Sequence, residues 1–308
     1  MLSRSLARLV RRNRALTCAY YLIDDWRARR RLASGRIETR SGRRHAELDL
    51  DASLAYVEGV VDDYLGYAGR DRFAGRLAEI GPGDSLAVTV LTLARGAREA
   101  HTVDRYRTIR DPARETAILE GLRARYGCAA TLAERIHEHA GSPAETFFTR
   151  TDLAFDWIVS RAVLEHLYDP IAALDAMATR LAPGGVMVHR IDLRDHGMFE
   201  GHPLTFLTVP DRLYRAMTVG SGRPNRVLAP EYTAWLRRAG MNGGVRVTRL
   251  AGVAGTVGPA RWDALDAAAR REALATVATI RPRLAPRFRA LPDEDLAVAG
   301  IVLVAERS

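Results

Sequence analysis

The feature that most constrains this chain is residues 77–104, where an apolar segment, a glycine turn, a helical segment and a second apolar segment follow one another. The first segment contains Glu79, the turn is Gly-Pro-Gly-Asp at 81–84, and the second segment ends at Asp104. A strand, glycine turn, helix and strand in this order, closed by an acid, form the adenosine pocket of doubly wound α/β sheets. The stretch therefore predicts such a sheet with an adenosine site.

The turn departs from the G-x-G-x-x-G pattern of dinucleotide-binding sheets, because Leu86 stands where the third glycine belongs. A pyrophosphate site needs that glycine for close packing of helix on strand. S-adenosylmethionine carries no phosphate, so its site needs only a tight turn and flanking carboxylates. The departure favours this methyl donor over a nicotinamide dinucleotide.

Composition indicates an ordinary globular protein: 308 residues, 47% hydrophobic and 27% charged, enough for one large α/β domain with appendages. The longest charge-free apolar runs, 86–94 and 297–305, are too short for a bilayer, which needs roughly 20 residues. The first residues lack the pattern of a secretory signal. Cys18 and Cys128 are far apart and favour neither a disulfide framework nor a cysteine zinc site. We expect a cytoplasmic protein.

The net charge of +9 is concentrated at the N-terminus, since residues 1–44 contain thirteen arginines and three acids. The chain has no lysine, which excludes Schiff-base chemistry, pyridoxal attachment and a Walker lysine. Apolar residues at helical spacing predict one or two basic amphipathic helices over 1–32: Leu2, Leu6, Leu9, Val10, Leu16 and Tyr20. This arm packs on the domain with a solvated basic face, or it rests on an anionic membrane at the inner face, grips an acidic substrate or binds nucleic acid.

The pattern divides the chain into the basic helical arm, 1–70, and one large domain, 71–308. Apolar spacing over 52–76 predicts a further helix that leads into the core. Two helical inserts are expected in the domain, a lid over the pocket at about 107–126 and an Ala/Arg-rich segment at about 260–290. Strands are predicted at 77–80, 101–103, 133–137, 155–160, 186–191, 245–250 and 297–305.

Two later motifs agree with the glycine turn. Residues 155–166 read F-D-W-I-V-S-R-A-V-L-E-H, and 181–185 read L-A-P-G-G before an apolar strand. With the turn and the final strand, these motifs resemble the class I S-adenosylmethionine-dependent methyltransferases over about 75–250 and the last strand. The resemblance implies a doubly wound, mostly parallel, Rossmann-like sheet of seven strands and S-adenosyl-L-methionine as cofactor.

The resemblance also implies a set of donor-binding residues. The methionine end would meet the first strand and the turn, the ribose the acid of the second strand, the adenine an acid near 145, and the sulfonium the end of the fourth strand. The corresponding residues are Glu79, Gly81, Pro82, Gly83, Asp84, Asp104, Arg105, Glu145, Ser160 and Arg161. Alternatively, Glu79, Asp104 and Glu145 are helix-capping or solvated carboxylates.

An oxygen acceptor needs a base, and histidine is the usual choice near neutral pH. The run 189–196, H-R-I-D-L-R-D-H, follows the fifth strand at the pocket edge. We expect His196 to be the base, oriented by Asp192 or Asp195, with His166 as the second candidate. In the simpler alternative, Asp195 and His196 only cap the following loop. A metal held by Glu165, His166 and Asp192 lacks recognisable ligand spacing, so no metal is predicted.

The segments 191–196 and 222–226 resemble a subgroup of these methyltransferases associated with bacterial polysaccharide and surface-glycan assembly. Arg223 and Arg226 are expected to clamp a phosphate or carboxylate of the acceptor, with Arg194 and Asp195 beside them. A Pro-Asn turn with solvated arginines fits the same residues. The prediction is O-methylation of a small or glycan-like acceptor.

Two other classes of function stay open. An N-methyltransferase of a natural product or a nucleic acid is one, although S-R-A-V at 160–163 replaces the N/D-P-P-Y/F segment of amino-methylating base enzymes. A nucleic-acid partner is therefore disfavoured. The other is a non-catalytic partner subunit with a donor-binding fold, against which Glu79 and Asp104 argue. The sequence predicts no oligomeric state.

Overall fold

A seven-stranded sheet forms the centre of the computed structural model, which describes residues 10–39, 42–127 and 130–308. Leu2, Leu6, Leu9 and Cys128 of the sequence predictions lie outside these residues. The strands are β1 (Arg76–Ile80), β2 (Glu99–Asp104), β3 (Ile136–Ala140), β4 (Phe155–Arg161), β5 (Leu181–Asp192), β6 (Asn242–Leu250) and β7 (Val298–Glu306). A separate parallel pair joins Glu38–Thr39 to Arg107–Thr108.

The strand order is β3-β2-β1-β4-β5-β7-β6. The first five strands are parallel, and β7 runs antiparallel between β5 and β6. The doubly wound, mostly parallel sheet is thus confirmed. The order of connection reverses between β1 and β4, and open sheets bind ligands at such a switch point, beyond the carboxyl ends of the strands.

Helices cover both faces of the sheet. They are α1 (Arg14–Ala33), α2 (Leu50–Ala68), α3 (Ala87–Ala94), α4 (Pro112–Tyr126), α5 (Ala144–Arg150), α6 (Pro170–Arg180), α7 (Asp211–Thr218), α8 (Ala229–Arg238), α9 (Ala267–Ile280), α10 (Pro286–Arg289) and α11 (Asp293–Ala297). Asp49, Asp111, Asp169 and Asp266 cap the N-termini of α2, α4, α6 and α9 through their carboxylates.

The alternation of side chains along the strands produces two apolar layers. On one face, Leu77 and Trp157 pack against α2, α3 and α4. On the other face, Ala78 and Ile158 pack against α5, α6, α8 and α9. The helical half of the predicted lid, α4, buries Ile118 in the first layer. Residues 107–110, which precede this helix, border a cavity at the edge of the sheet.

Most predicted elements lie where they were expected, with two differences. The third strand occupies Ile136–Ala140 instead of 133–137, because Ala130–Arg135 forms a 3₁₀ turn. The Pro183-Gly184-Gly185 turn lies inside the long strand β5, where the pairing register with β4 shifts. The insert at 260–290 contains α9 and α10.

Helix α1 packs on the domain through only one side. That side is formed by buried residues one to four positions apart: Thr17, Cys18, Tyr21, Asp25 and Ala28. Leu16 and Tyr20, two members of the predicted apolar series, lie instead on the outer side and are 49% and 42% exposed. Among the described helices, none has the length and apolar character needed to cross a membrane.

Candidate active site

A cleft of about 910 Å³ opens at the carboxyl ends of β1, β2 and β4, at the switch point of the sheet. A second cavity of about 520 Å³ adjoins it and shares Gly83, Asp104, Tyr106 and Thr108 with it. The glycine turn, the acid that ends β2 and the segment after β4 therefore meet at one place. The sequence motifs predicted this meeting.

The glycine turn forms one wall of the cleft. Gly81 has φ +70°, and a Cβ there would lie 2.5 Å from Cγ2 of Val163, so any other residue would have to displace the Val163 side chain and adopt a left-handed backbone. Gly81 and Gly83 line the larger cavity, and Pro82 lines the smaller one. Asp84 does not border either cavity: its carboxylate accepts hydrogen bonds from the backbone N–H groups of His45 (3.2 Å) and Ala46 (3.0 Å). It ties the turn to the chain before α2.

Asp104 lies where the two cavities meet. One carboxylate oxygen, Oδ1, accepts from the N–H of Tyr106 at 2.9 Å, and burial raises the pKa of the carboxyl to about 6. At pH 7 the second oxygen is thus an ionised acceptor in a concave site. The neighbouring Arg105 also borders the cleft, with its guanidinium 3.9 Å from the centre of the Tyr168 ring.

Three other predicted donor-binding residues lie beneath the cleft and do not line it. Glu79 is buried under α3, accepts a hydrogen bond from Thr89 Oγ1, and has its pKa raised to about 7 by burial. Ser160 Oγ is 2.8 Å from Nδ1 of the buried His189. Arg161 points to the other face of the sheet, where Nη1 binds Asp63 at 2.6 Å. Ile80, Ala162 and Val163 border the cleft instead.

Glu145 stands at the start of α5, next to Ala144, which borders the cleft. Its Oε1 accepts from the N–H of Tyr168 at 3.0 Å. The other oxygen, Oε2, is buried and has no hydrogen-bond partner within the described ranges. The predicted acid is therefore near the cleft, held by the segment that follows β4.

Two histidines contact each other at the border of the cleft. The rings of His166 and His196 are 4.9 Å apart at 71°, and both residues border the cavity. His166 Nδ1 donates to the carbonyl oxygen of Gly222 at 2.8 Å. Burial, followed by the nearby His196, lowers the pKa of His166 to about 4. Burial also lowers the pKa of His196, against the attraction of Asp192, so both rings are neutral at pH 7.

Two carboxyl groups lie behind His196. Its Nε2 is 3.6 Å from Asp192 Oδ2 and 3.8 Å from Glu165 Oε1. Asp192 is held by Arg194 through two hydrogen bonds of 2.8 and 2.5 Å, which keeps Arg194 away from the cleft. Burial raises the pKa of Glu165 well above its usual range. Donor atoms of Glu165, His166 and His196 lie within 4.8 Å of one another, a spacing that fits one metal ion.

Asp195 has the capping role that the simpler prediction gave it. Its carboxylate accepts from the N–H groups of Gly197 at 3.0 Å and Phe199 at 2.9 Å. It therefore does not orient His196. The loop that it caps places His196 at φ +52°, and Ala162 has φ +55°. Within the described ranges these are the non-glycine residues with left-handed backbone, and both border the cleft, as strained residues of functional sites often do.

The N-terminal helix forms another wall of the cleft, whereas the sequence offered a grip on an acidic substrate only as one alternative for this arm. Asp24, Arg27 and Arg31 of α1 border the cleft. The buried Asp25 anchors the helix, because its Oδ1 accepts from the N–H groups of Gly220 (2.6 Å) and Ser221 (2.8 Å). In the sequence, the signal for this contact was Asp25 itself, an acid on the apolar side of a helix. Its partner, a Gly-Ser-Gly turn, lies almost two hundred residues away and could not be inferred from it.

The two predicted clamp arginines have different surroundings. Arg223 borders the cleft and binds Asp24 at 2.9 Å. Arg226 is only 5% exposed, and its guanidinium donates to the carbonyls of Phe206 and Val209 and to Asp211. The clamp prediction for Arg226 is therefore wrong, because protein acceptors already occupy its donors.

A model of a methyltransferase domain family matches residues 22–243, which is more than half of the chain. The chain belongs to this methyltransferase family. A search of curated proteins gives no significant match.

Solved structures with a similar fold have low sequence identity. Magnesium protoporphyrin IX methyltransferase from Synechocystis, with S-adenosylhomocysteine bound, is 11% identical; the match covers 83% of each chain with a TM-score of 0.42. YcgJ from Bacillus subtilis is 15% identical over 81% of this chain and 98% of its own, with a TM-score of 0.42. The [4+2]-cyclase SpnF is 17% identical over 81% of this chain and 80% of its own, with a TM-score of 0.40.

S-adenosyl-L-methionine is the methyl donor of this methyltransferase. The residues of the cleft fit it: Gly81 leaves room for close approach, and Asp104 would offer a carboxylate to the ribose hydroxyls. A phosphate would sit at the N-terminus of α3. There, Glu115 Oε1 already accepts from the N–H of Leu86 at 2.8 Å. The site suits an adenosine ligand without phosphates.

Proposed function

We propose that the methyltransferase methylates an oxygen of a small, acidic or glycan-like acceptor, with His196 as the general base. The observation that carries this proposal is the position of His196, a neutral imidazole that borders the cleft with Asp192 behind it. The donor carries its methyl group on a sulfonium, so the neutral thioether S-adenosylhomocysteine is the leaving group. The protein's task is to align the acceptor oxygen with this methyl group and to take its proton.

The carboxyl groups behind His196 favour a tautomer. Both face Nε2, and the ionised Asp192 stabilises a proton on that nitrogen, which leaves the lone pair on Nδ1 for the acceptor proton. The imidazolium formed on proton transfer is then stabilised by Asp192. His166 is a weaker base, since burial lowers its pKa to about 4, and its Nδ1 proton is fixed by Gly222. His166 is better suited to position His196.

The charge of the cleft supports an acidic acceptor. Four arginines border it, Arg27, Arg31, Arg105 and Arg223. Arg223 is paired with Asp24, but neither Arg27 nor Arg31 forms an ion pair with any acid in the described part of the chain. Guanidinium groups bind carboxylates and phosphates in two-pronged fashion. A uronic acid or a sugar phosphate fits both this charge and the resemblance to glycan-associated methyltransferases.

The test uses the His196→Gln variant, S-adenosylmethionine with a ¹³C-labelled methyl group, and a panel of uronates and sugar phosphates. We expect kcat to fall about 10²- to 10⁴-fold with little change in donor affinity. In the wild type, the rate should rise with pH to a plateau, because the base must be unprotonated. The midpoint of this rise should lie below that of an ordinary imidazole, because burial lowers the pKa of His196. The variant should lose this limb.

The matched control is His202→Gln, a histidine that binds the carbonyl oxygen of Thr276 at 2.9 Å and does not border the cleft. Its kcat should stay within about twofold of the wild type. A carbon shift of the product methyl group that indicates attachment to nitrogen would reject O-methylation. An unchanged acid limb in His196→Gln would reject the base. Activity abolished by a chelator and restored by a divalent ion would assign Glu165, His166 and His196 to a metal instead.

We also propose that α1 rests on an anionic membrane surface. Its outer side carries five large apolar residues that are each at least 37% exposed: Leu16, Tyr20, Leu22, Ile23 and Trp26. Arg30 lies over the Trp26 ring at 4.8 Å. Arg12, just before the helix, is largely exposed and lies 3.6 Å from Glu200. An apolar stripe with tryptophan and tyrosine, bordered by arginines, is typical of helices that lie in the interface of anionic bilayers.

Co-sedimentation of the full chain with vesicles tests this contact. We expect binding to phosphatidylglycerol vesicles, weak binding to phosphatidylcholine, and loss of binding in the Ile23→Ser/Trp26→Ser double variant. Leu50→Ser, at another exposed apolar residue, is the control and should bind like the wild type. Absence of binding to both vesicles would reject the proposal. So would a dimer at low micromolar concentration that the double variant dissociates, since a second copy would then cover the stripe.

A further inference from the structure

A cluster of three histidines and one glutamate lies on the sheet, outside the cleft. His101 is on β2, and His137 and His139 are on the edge strand β3. The register pairs His101 with His137 and Val103 with His139. Because residues two apart in a strand face the same side, and paired residues share a side, all three imidazoles and Glu99 project from one face.

The donor atoms are close enough to share one ion. One ligand atom from each of Glu99, His101 and His137 lies within 4.8 Å of the other two. His137 Nε2 and Glu99 Oε2 are 3.8 Å apart. Tetrahedral zinc holds its nitrogen and oxygen ligands roughly 3.3 Å apart. The rings of His101 and His137 are stacked at 29° with centroids 4.6 Å apart, so the side chains must rotate to direct their donor atoms at one ion.

His101 has the environment of a ligating histidine. It is 5% exposed, and its Nδ1 is 3.0 Å from Nε2 of His139. Its own Nε2 is buried and has no hydrogen-bond partner among the residues that the structure describes. A histidine that binds a metal through one ring nitrogen usually donates a proton from the other to a fixed neighbour. His139 is placed to accept that proton, which leaves the lone pair on the unpartnered Nε2.

Glu99 contributes one oxygen. Arg76 and Arg98 donate to Oε1 at 2.8 and 3.2 Å, which leaves Oε2 on the side of His137. The two guanidinium groups reduce the attraction of the carboxylate for a dication, so the imidazoles must supply most of the affinity. Imidazole donors favour Zn²⁺, Co²⁺, Ni²⁺ and Cu²⁺ over Mg²⁺ and Ca²⁺.

We propose that Glu99, His101 and His137 bind one divalent transition-metal ion of the zinc class, with His139 as the residue that orients His101. Glu99 and Asp104 are at opposite ends of β2, about 16 Å apart along the strand. The ion is therefore remote from the methyl-transfer cleft, and its role is structural. It joins the edge strand β3, which has a sheet neighbour on one side only, to β2.

Metal content of the untagged full chain tests this site. After dialysis against EDTA, the chain is incubated with Zn²⁺, gel-filtered and analysed for bound metal, and Co²⁺ is titrated while its visible absorption is recorded. We expect one tightly bound ion assigned to this cluster, tetrahedral Co²⁺ bands and a higher thermal midpoint with Zn²⁺. His137→Gln should lose that ion, the bands and the thermal shift. Because the His137 side chain is half-exposed, its replacement should not disturb folding. Circular dichroism of the variant checks this.

Two controls locate the ion. His202→Gln removes a histidine outside both clusters and should keep the bound ion. His196→Gln disrupts the cleft cluster and should also keep it. The proposal is overturned if His137→Gln binds as much Zn²⁺ as the wild type, or if His196→Gln loses the ion. Because the readouts are metal content and thermal stability, the result is independent of the proposed methyl transfer.

Discussion

The two sides of the cleft differ in how the chain builds them. The donor side uses the end of β1, the turn with Gly81 and Gly83, and Asp104, all within residues 77–104. The side that we propose for the acceptor, called the acceptor side below, is assembled from α1, the ends of β4 and β5, and the turn at 220–224. The donor side is therefore fixed by one strand–turn–helix–strand unit, whereas the acceptor side exists only when distant segments pack together.

Their anchoring differs in the same way. The donor side is part of the parallel sheet, where Gly81 N–H donates to the carbonyl of Val103 at 2.9 Å. The acceptor side depends on the buried carboxylate of Asp25, which joins α1 to the turn at 220–221. Gly220 permits this approach, since a Cβ there would overlap the Arg29 side chain. Substitutions on the donor side should therefore change donor affinity, and substitutions on the acceptor side should change the acceptor KM.

The largest effect is expected for Asp25→Ala. The change leaves the buried N–H of Gly220 and the part-buried N–H of Ser221 without their acceptor. A buried unsatisfied donor costs about 1–3 kcal/mol and a part-buried one less, so up to about 4 kcal/mol is lost in total. Urea denaturation measures this loss. The acceptor KM should rise while donor affinity stays within about twofold. The control is Asp62→Ala, an exposed partner of Arg95, which should cost less than about 0.5 kcal/mol. Equal losses of donor and acceptor binding would contradict the separation.

Next is the pH dependence contributed by Glu79, on the donor side. Its folded-state pKa, about 7, lies above the usual 4.5, so the protonated form stabilises the fold. That contribution is complete below about pH 4.5 and is lost as the pH rises through about 7. Relative to Glu79→Gln, the wild type should lose about 3 kcal/mol of unfolding free energy between pH 5 and pH 8. If the unfolding free energies of the two proteins change with pH in parallel, the pKa of Glu79 is not raised in the folded protein.

A smaller effect is expected for Asp104→Ala. Loss of a charged acceptor for ribose hydroxyls should weaken S-adenosylhomocysteine binding roughly 30-fold in calorimetry, about 2 kcal/mol. Since the pKa of Asp104 is about 6, wild-type affinity should fall as the pH drops through 6. Asp152→Ala, an exposed acid, is the control. Full donor affinity in Asp104→Ala would refute its ribose role.

The smallest effects are expected for Arg27→Gln and Arg31→Gln on the acceptor side. Each should raise the KM of an acidic acceptor about fivefold without changing kcat, because a partly exposed ion pair contributes about 1 kcal/mol. The difference should shrink in high salt. Arg30→Gln, on the outer side of the same helix, is the control. If Arg30→Gln raises KM as much as Arg27→Gln, the arginines act through overall charge and not as cleft residues.

Much of the donor side followed from the sequence, but its details did not. The glycine turn and Asp104 were predicted because they belong to one local unit with a recognisable order. Ser160 and Arg161 were placed at the sulfonium, yet Ala162 and Val163 border the cleft. Near the end of a strand, neighbouring side chains face opposite ways, and the left-handed Ala162 decides which of them meets the crevice.

The acceptor side was predicted only in part. His166, His196 and Arg223 were expected at the site and border the cleft, because they follow strands whose ends meet at one edge. Arg226 was assigned with Arg223 by residue type. The structure separates them, since the carbonyls of Phe206 and Val209 surround one guanidinium and not the other. Chemically equivalent residues three positions apart acquired different roles from their neighbours.

The sequence by itself determined the doubly wound, mostly parallel sheet and the identity of the methyl donor, because these depend on local patterns: apolar strands, glycine turns and the acids that follow them. Only the tertiary structure decided that α1 lines the cleft, that Asp195 caps a loop, and that three histidines gather on β2 and β3. These facts depend on contacts between segments far apart in the chain. Such contacts are set by packing and by buried hydrogen bonds, which leave little trace in the spacing of residues.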